Sequence, residues 1–217
     1  MDVSKLLNKY FLDVKSDVSI NVFDASTINA VYQRVISMLT EQLKIEVSFL
    51  QGFSYCFYEI LDNVLTHSGK EIGTVITYYE DDNDCLKILV ADDGIGVMAS
   101  LSTEEKYAEI TEPEALSECV KDTVTDGKGM GFGLYATSRL AKNVGMRFEI
   151  ASGRHKLVFE NGCYNVVDSE EWVGTIVYLD LHTNREFDPN DIVANRTDCI
   201  SEYNDMFIDD SKLNELW

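Results

Sequence analysis

The stretch from Thr125 to Leu140, TDGKGMGFGLYATSRL, constrains this chain most. Gly127, Gly129, Gly131 and Gly133 alternate with Lys128, Met130 and Phe132. The pattern then turns helical, with Leu134, Tyr135, Leu140 and Val144 at helix-like spacing. Closely spaced glycines leave a backbone without β-carbons and free to adopt positive φ. Such a loop can press its N–H groups against a phosphate chain, and the helix behind it adds partial positive charge. A flexible turn ahead of an ordinary helix fits the same letters, so two other stretches decide between the readings.

The first is SFLQGFSYCFYEILDNVLTHS, Ser48 to Ser68, which the spacing predicts as one long helix. Phe49, Phe53, Phe57, Ile60 and Val64 form its buried face. Glu59, Asn63 and His67 stand at i, i+4 and i+8, along one line of that helix. Asn63 offers a neutral oxygen suited to Mg²⁺, and Glu59 a carboxylate one turn away that can orient or deprotonate a nucleophile. A solvated polar stripe is the simpler explanation of these residues taken alone. His67 lies near this metal motif or is simply a polar residue satisfied on its helix, the reading preferred here.

The second is Val90-Ala91-Asp92-Asp93-Gly94-Ile95-Gly96, a strand running into Asp-x-Gly-x-Gly. A carboxylate at that strand end can accept a hydrogen bond from an exocyclic amine, the group that distinguishes adenine from guanine. A plain turn is the alternative, since Asp-Gly is common in turns. Between the two glycine motifs, 98–128 contains Pro113 and a predicted helix over 114–124. Connections of this length are usually lids or binding loops.

The remaining pattern predicts a short opening helix within 1–16, a strand over 19–23 and a helix over 27–43 capped by Asp24 or Ser26. A hairpin of 73–79 and 85–91 follows, its polar tip lacking EF-hand spacing. Short strands are expected over 147–151, 156–160 and 164–167, and a closing strand over 172–181. Thr175 on the last can help hold a base or simply pair in the sheet.

The 217 residues include 38 acidic and 18 basic ones, net −20. That balance argues against nucleic acid and anionic lipid as partners and leaves room for a basic protein partner. The five cysteines stand in no CxxC and no zinc-ligand spacing with the histidines, as expected of reduced thiols. No apolar run approaches a membrane span, and a cytoplasmic location is expected.

The three stretches occur in one order: Glu59-x-x-Asp62-Asn63, Asp92-x-Gly94-x-Gly96, and Gly129-x-Gly131-x-Gly133, closed by Gly174-Thr175. That order resembles the GHKL superfamily, the ATP-binding fold of histidine kinases, gyrase-type ATPases, Hsp90 and anti-sigma serine kinases. The likeness covers roughly residues 45–182, and the closest in style are small stand-alone anti-sigma kinase-like proteins. It implies a two-layer α/β sandwich with helices on one face of a mixed, mostly antiparallel sheet. It also implies ATP and Mg²⁺ as cofactors. Asn63 then stands where the metal ligand does, and Glu59 where the general base of hydrolysing members does. Asp92 reads adenine, with Thr175 in support. Gly94 and Gly96 lie beside the base and lid hinge, Gly129, Gly131 and Gly133 line the phosphates, and Lys128 meets a β- or γ-phosphate.

The expected organisation is an N-terminal strand and helix extension over 1–45, an ATP-binding domain over 46–182 with its lid at 98–128, and an acidic tail over 183–217. Within these residues no helical pair with a phospho-acceptor His precedes the domain and no transducer domain follows. Self-phosphorylating sensor kinase activity is therefore not expected. The expected function is Mg²⁺-dependent ATP hydrolysis or phosphoryl transfer in trans to a protein partner, with homodimerisation open. The alternative is an ATP-dependent switch with negligible turnover.

Overall fold

Three phenylalanines one turn apart organise the interior. Phe49, Phe53 and Phe57 lie on α3 (Val47–His67), with neighbouring rings 5.6 and 5.4 Å apart and nearly parallel. All three are fully buried. The structure, a computed structural model, describes residues 1–12, 14, 18–41, 45–129, 131–160, 162–188 and 190–193. Their elements run α1 (Val3–Tyr10), β1 (Ser19–Phe23), α2 (Ile28–Glu41), α3, β2 (Gly73–Glu80) and β3 (Cys85–Ala91). Next come α4 (Gly96–Leu101), α5 (Glu112–Glu118), α6 (Gly133–Val144), β4 (Gly145–Glu160), β5 (Cys163–His182) and α7 (Asn190–Val193).

The strands form one five-stranded sheet in the order β1-β2-β3-β5-β4, and every neighbouring pair is antiparallel. One face carries Val75, Ile88, Val90, Phe148, Val177 and Leu179 into a core shared with α2, α3, α5 and α6. This is the α/β sandwich, its strand pairing wholly antiparallel among the described residues. The opposite face holds a second apolar cluster. Leu6, Tyr10 and Phe11, from α1 and the residue after it, pack there on Ile76, Leu89, Ile176 and Tyr178. Leu6→Ala is expected to lower unfolding free energy by about 2–3 kcal/mol in a urea melt, because the site is buried but lies under a short helix. An unchanged midpoint would mean that α1 adds nothing to the fold.

Two sequence expectations differ from what is found. The short strands around Gly153 are two long ones, β4 and β5. Gly153, at φ +65, carries irregular pairing between Ala151 and His155, so the strand bends there without ending. The lid helix α5 starts with Glu112 and Pro113, where the Thr111 N–H donates to Glu114 Oε2 at 2.9 Å. It stops at Glu118, with Cys119 as its C-cap, and does not reach 124; further on, Thr123 at φ +62 lies outside helical geometry altogether. The helix expected over 27–43 is described to Glu41, and its last positions lie outside the described residues. Its start is fixed as expected, with Asp24 Oδ1 accepting from the Ser26 and Thr27 N–H groups.

The first residues of the acidic C-terminal segment lie on the helical layer. A β-carbon at Gly52 of α3 would stand 2.6 Å from the Phe187 ring and 2.7 Å from Ile192 Cδ1. Arg139 Nε on α6 donates to the Asp191 carbonyl at 3.1 Å. The tail expected beyond Val193 lies outside the described residues.

Candidate functional site

Asp92 is the first residue beyond β3, and the sheet grips it from behind. Its N–H donates to the Thr175 carbonyl at 3.0 Å, and its own carbonyl accepts from Trp172 Nε1 at 2.9 Å. Its carboxylate accepts the Gly94 N–H at 2.8 Å and the Thr175 backbone N–H. The residue is 3% exposed. Burial pushes its carboxyl up to about 6, outweighing those two hydrogen bonds, and neighbouring Asp93 pushes the same way. The turn that follows docks on the end of α3, where the Ile95 N–H donates to the Ser68 carbonyl at 2.9 Å.

The glycine-rich loop reaches α3 from the other side. Gly133 is the first residue of α6, and a β-carbon there would stand 2.7 Å from Glu59 Oε2 and 2.9 Å from Glu59 Cβ. That close approach lets the N-terminus of α6 lie directly on the carboxylate line of α3. Gly131 sits at φ +68 with its Cα against the Val124 backbone, a position closed to any side chain.

These segments line one open cavity of about 370 Å³, within the ordinary range for small-molecule sites. Its wall includes Glu59, Asn63 and His67 from α3, Asp92, Gly96 and Thr175 from the sheet side, and Lys128, Gly129, Gly131 and Gly133 from the loop. Gly94 does not line it and stands behind the wall, supporting Asp92. Lys128 Nζ is turned to the Thr66 carbonyl at 3.2 Å.

The lid lines a further side and is fastened at two points. At its α5 end, Glu112 Oε2 accepts from the Arg154 N–H at 3.0 Å and from His155 Nδ1 at 2.7 Å, which together hold its carboxyl below the usual range. At its loop end, Asp126 Oδ2 accepts from Ser100 Oγ at 2.7 Å and from His67 Nδ1 at 2.8 Å. Burial works to raise that carboxyl, but the His67 and Ser100 hydrogen bonds prevail and hold it low. Cys119 also lines the cavity, its thiol pushed up to about 12 by burial and hence neutral.

Sequence reasoning assigned no role to Trp172, Ser100 or Asp126. Each acts on a partner far away in the chain, so local spacing carries no sign of it. Asp126 had one visible signal, an acidic residue directly ahead of the glycines.

The donor set suits a Mg²⁺-bound purine triphosphate. Asn63 and Glu59 bring oxygen donors of the kind a hard cation takes. The buried Asp92 carboxylate provides an acceptor for an amine, and the cradle at Gly131 and Gly133 admits backbone approach only. No helix among the described residues is long and apolar enough to cross a membrane.

A comparison with curated proteins gives no match. The family described as histidine kinase-, DNA gyrase B-, and HSP90-like ATPase matches residues 51–185, a span from α3 through β5 that holds all three motif segments.

Proposed function

The chain belongs to the histidine kinase-, DNA gyrase B- and HSP90-like ATPases, and from that membership we propose Mg²⁺-dependent ATP hydrolysis or phosphoryl transfer in trans to a protein partner. ATP binding is what the family implies. The finer activity is supported by one observation: Glu59 and Asn63 face the same cavity as Asp92 and the glycine loop. Magnesium, when bound, neutralises phosphate charge and supplies Lewis acidity.

In this reading Asp92 accepts from the adenine amine, and Thr175 keeps that carboxylate in place. Asn63 holds the cation. The loop N–H groups and the N-terminus of α6 face the phosphates. Glu59, one helical turn from Asn63, takes the proton from water or from a substrate hydroxyl. The net charge of −20 favours a basic protein as the partner, and five cysteines read as reduced thiols favour a cytoplasmic setting.

The two lid fastenings at Glu112 and Asp126 favour a second reading, in which ATP repositions the lid and so selects a partner without appreciable turnover. Calorimetry with ATP, ADP and GTP, with and without Mg²⁺, tests the common premise. Preference for ATP over GTP, and a Mg²⁺ contribution lost in Asn63→Ala, are expected. Equal affinity for ATP and GTP, or a Mg²⁺ effect retained in that variant, would contradict it. Phosphate release separates the enzyme from the switch.

A further inference from the structure

His67 and Asp126 form a pair that the three-motif description leaves without a role. Asp126 directly precedes the glycine loop, and its side chain is only 1% exposed. Four donors surround it. Oδ2 takes His67 Nδ1 and Ser100 Oγ, Oδ1 takes the Lys128 N–H at 3.1 Å, and Lys128 Nζ stands 3.8 Å from Oδ2. An ionised carboxylate can only accept, so Nδ1 of His67 must be the donor. The hydrogen bond at one ring nitrogen sets the state of the other. Nε2 is then the outward nitrogen, and a β-carbon built on Gly129 would stand 4.0 Å from it.

The partners come from different parts of the chain. His67 lies near the end of α3, Ser100 belongs to α4 within the lid, and Asp126 closes the lid at its far end. Moving the lid away from α3 therefore takes the carboxylate from the imidazole. We propose that Asp126 is a positioning residue of the nucleotide site: arriving with the lid, it commits His67 Nδ1–H and turns Nε2 to the glycine loop, so that lid closure and presentation of the imidazole to the phosphates are one event. This rests on the ATP-binding reading above.

A purely structural ion pair would hold the lid without regard to phosphates, and that difference is measurable. In the unmutated protein, ¹⁵N NMR at mildly alkaline pH is expected to find the His67 proton on Nδ1. The His67 signal is identified among those of the three histidines by its loss in a His67→Gln variant. A bare Nδ1 would overturn the proposal without any substitution at Asp126. By calorimetry, Asp126→Ala is expected to weaken ATP about tenfold while adenosine stays within about twofold, and Asp126→Asn, which keeps an acceptor oxygen, to recover most of the loss. Equal losses for ATP and adenosine, or no recovery by Asn, would overturn it. An unmutated protein that binds no ATP would overturn the nucleotide reading itself, a failure visible in the parent and not confined to the variants.

Discussion

Glu59→Gln is expected to leave Mg²⁺-ATP bound with nearly unchanged affinity and to lower phosphate release by about 10²–10⁴-fold. The side chain lies against Gly133, the first residue of α6, with Oε2 2.7 Å from where a β-carbon would stand. Gln preserves that shape and volume, so α3 and α6 keep their packing. It removes the negative charge and with it the capacity to take a proton. A single-turnover assay for phosphate, run beside calorimetry, separates the two quantities. Unchanged release would remove Glu59 from the chemistry. Loss of binding would assign it to holding the nucleotide.

Asp92→Asn is expected to push stability and binding in opposite directions. In the fold the Asp92 carboxyl rises from 3.8 to about 6 because it is buried. The folded chain therefore holds this proton more tightly than the unfolded chain does. The group's contribution is most favourable below the unfolded value and is lost as pH rises through the window between the two. Above that window the ionised carboxylate costs about 3 kcal/mol relative to its neutral form. Asn is neutral throughout and keeps an oxygen for the Gly94 N–H. The variant should then resist urea better than the parent near neutral pH, with the gap narrowing as pH falls toward the carboxylate range. ATP affinity should fall by about 1–3 kcal/mol, because the amide offers a donor where an adenine amine needs an acceptor. A variant less stable than its parent near neutral pH would mean that the buried charge is compensated. Unchanged ATP affinity would take Asp92 out of base recognition.

Much of the helical layer was legible because its determinants are local. Phe49, Phe53 and Phe57 recur at the period that buries one face of α3, and Glu59, Asn63 and His67 follow from the same period. The Asp92 turn is legible for a related reason: an apolar strand that runs into Asp-x-Gly-x-Gly must end there. The sheet was less so. The residues around Gly153 read as a turn, yet Gly153 at φ +65 only bends a strand that continues to Glu160. The apolar pattern of 1–16 announced a helix but not that Leu6 and Tyr10 would cover the face opposite α3. The Asp126–His67 and Glu112–His155 contacts join residues distant in sequence. No periodicity encodes such a pair, because it depends on how far the lid folds back over α3.

The most direct measurement is a crystal structure of the full chain with Mg²⁺ and a non-hydrolysable ATP analogue. The expected result has the adenine amine on the Asp92 carboxylate, the phosphates along Gly129 to Gly133, and the cation on Asn63. A nucleotide seated elsewhere, or in this cavity with its base away from Asp92 and its phosphates away from Asn63, would contradict the convergence of these three segments on one nucleotide site.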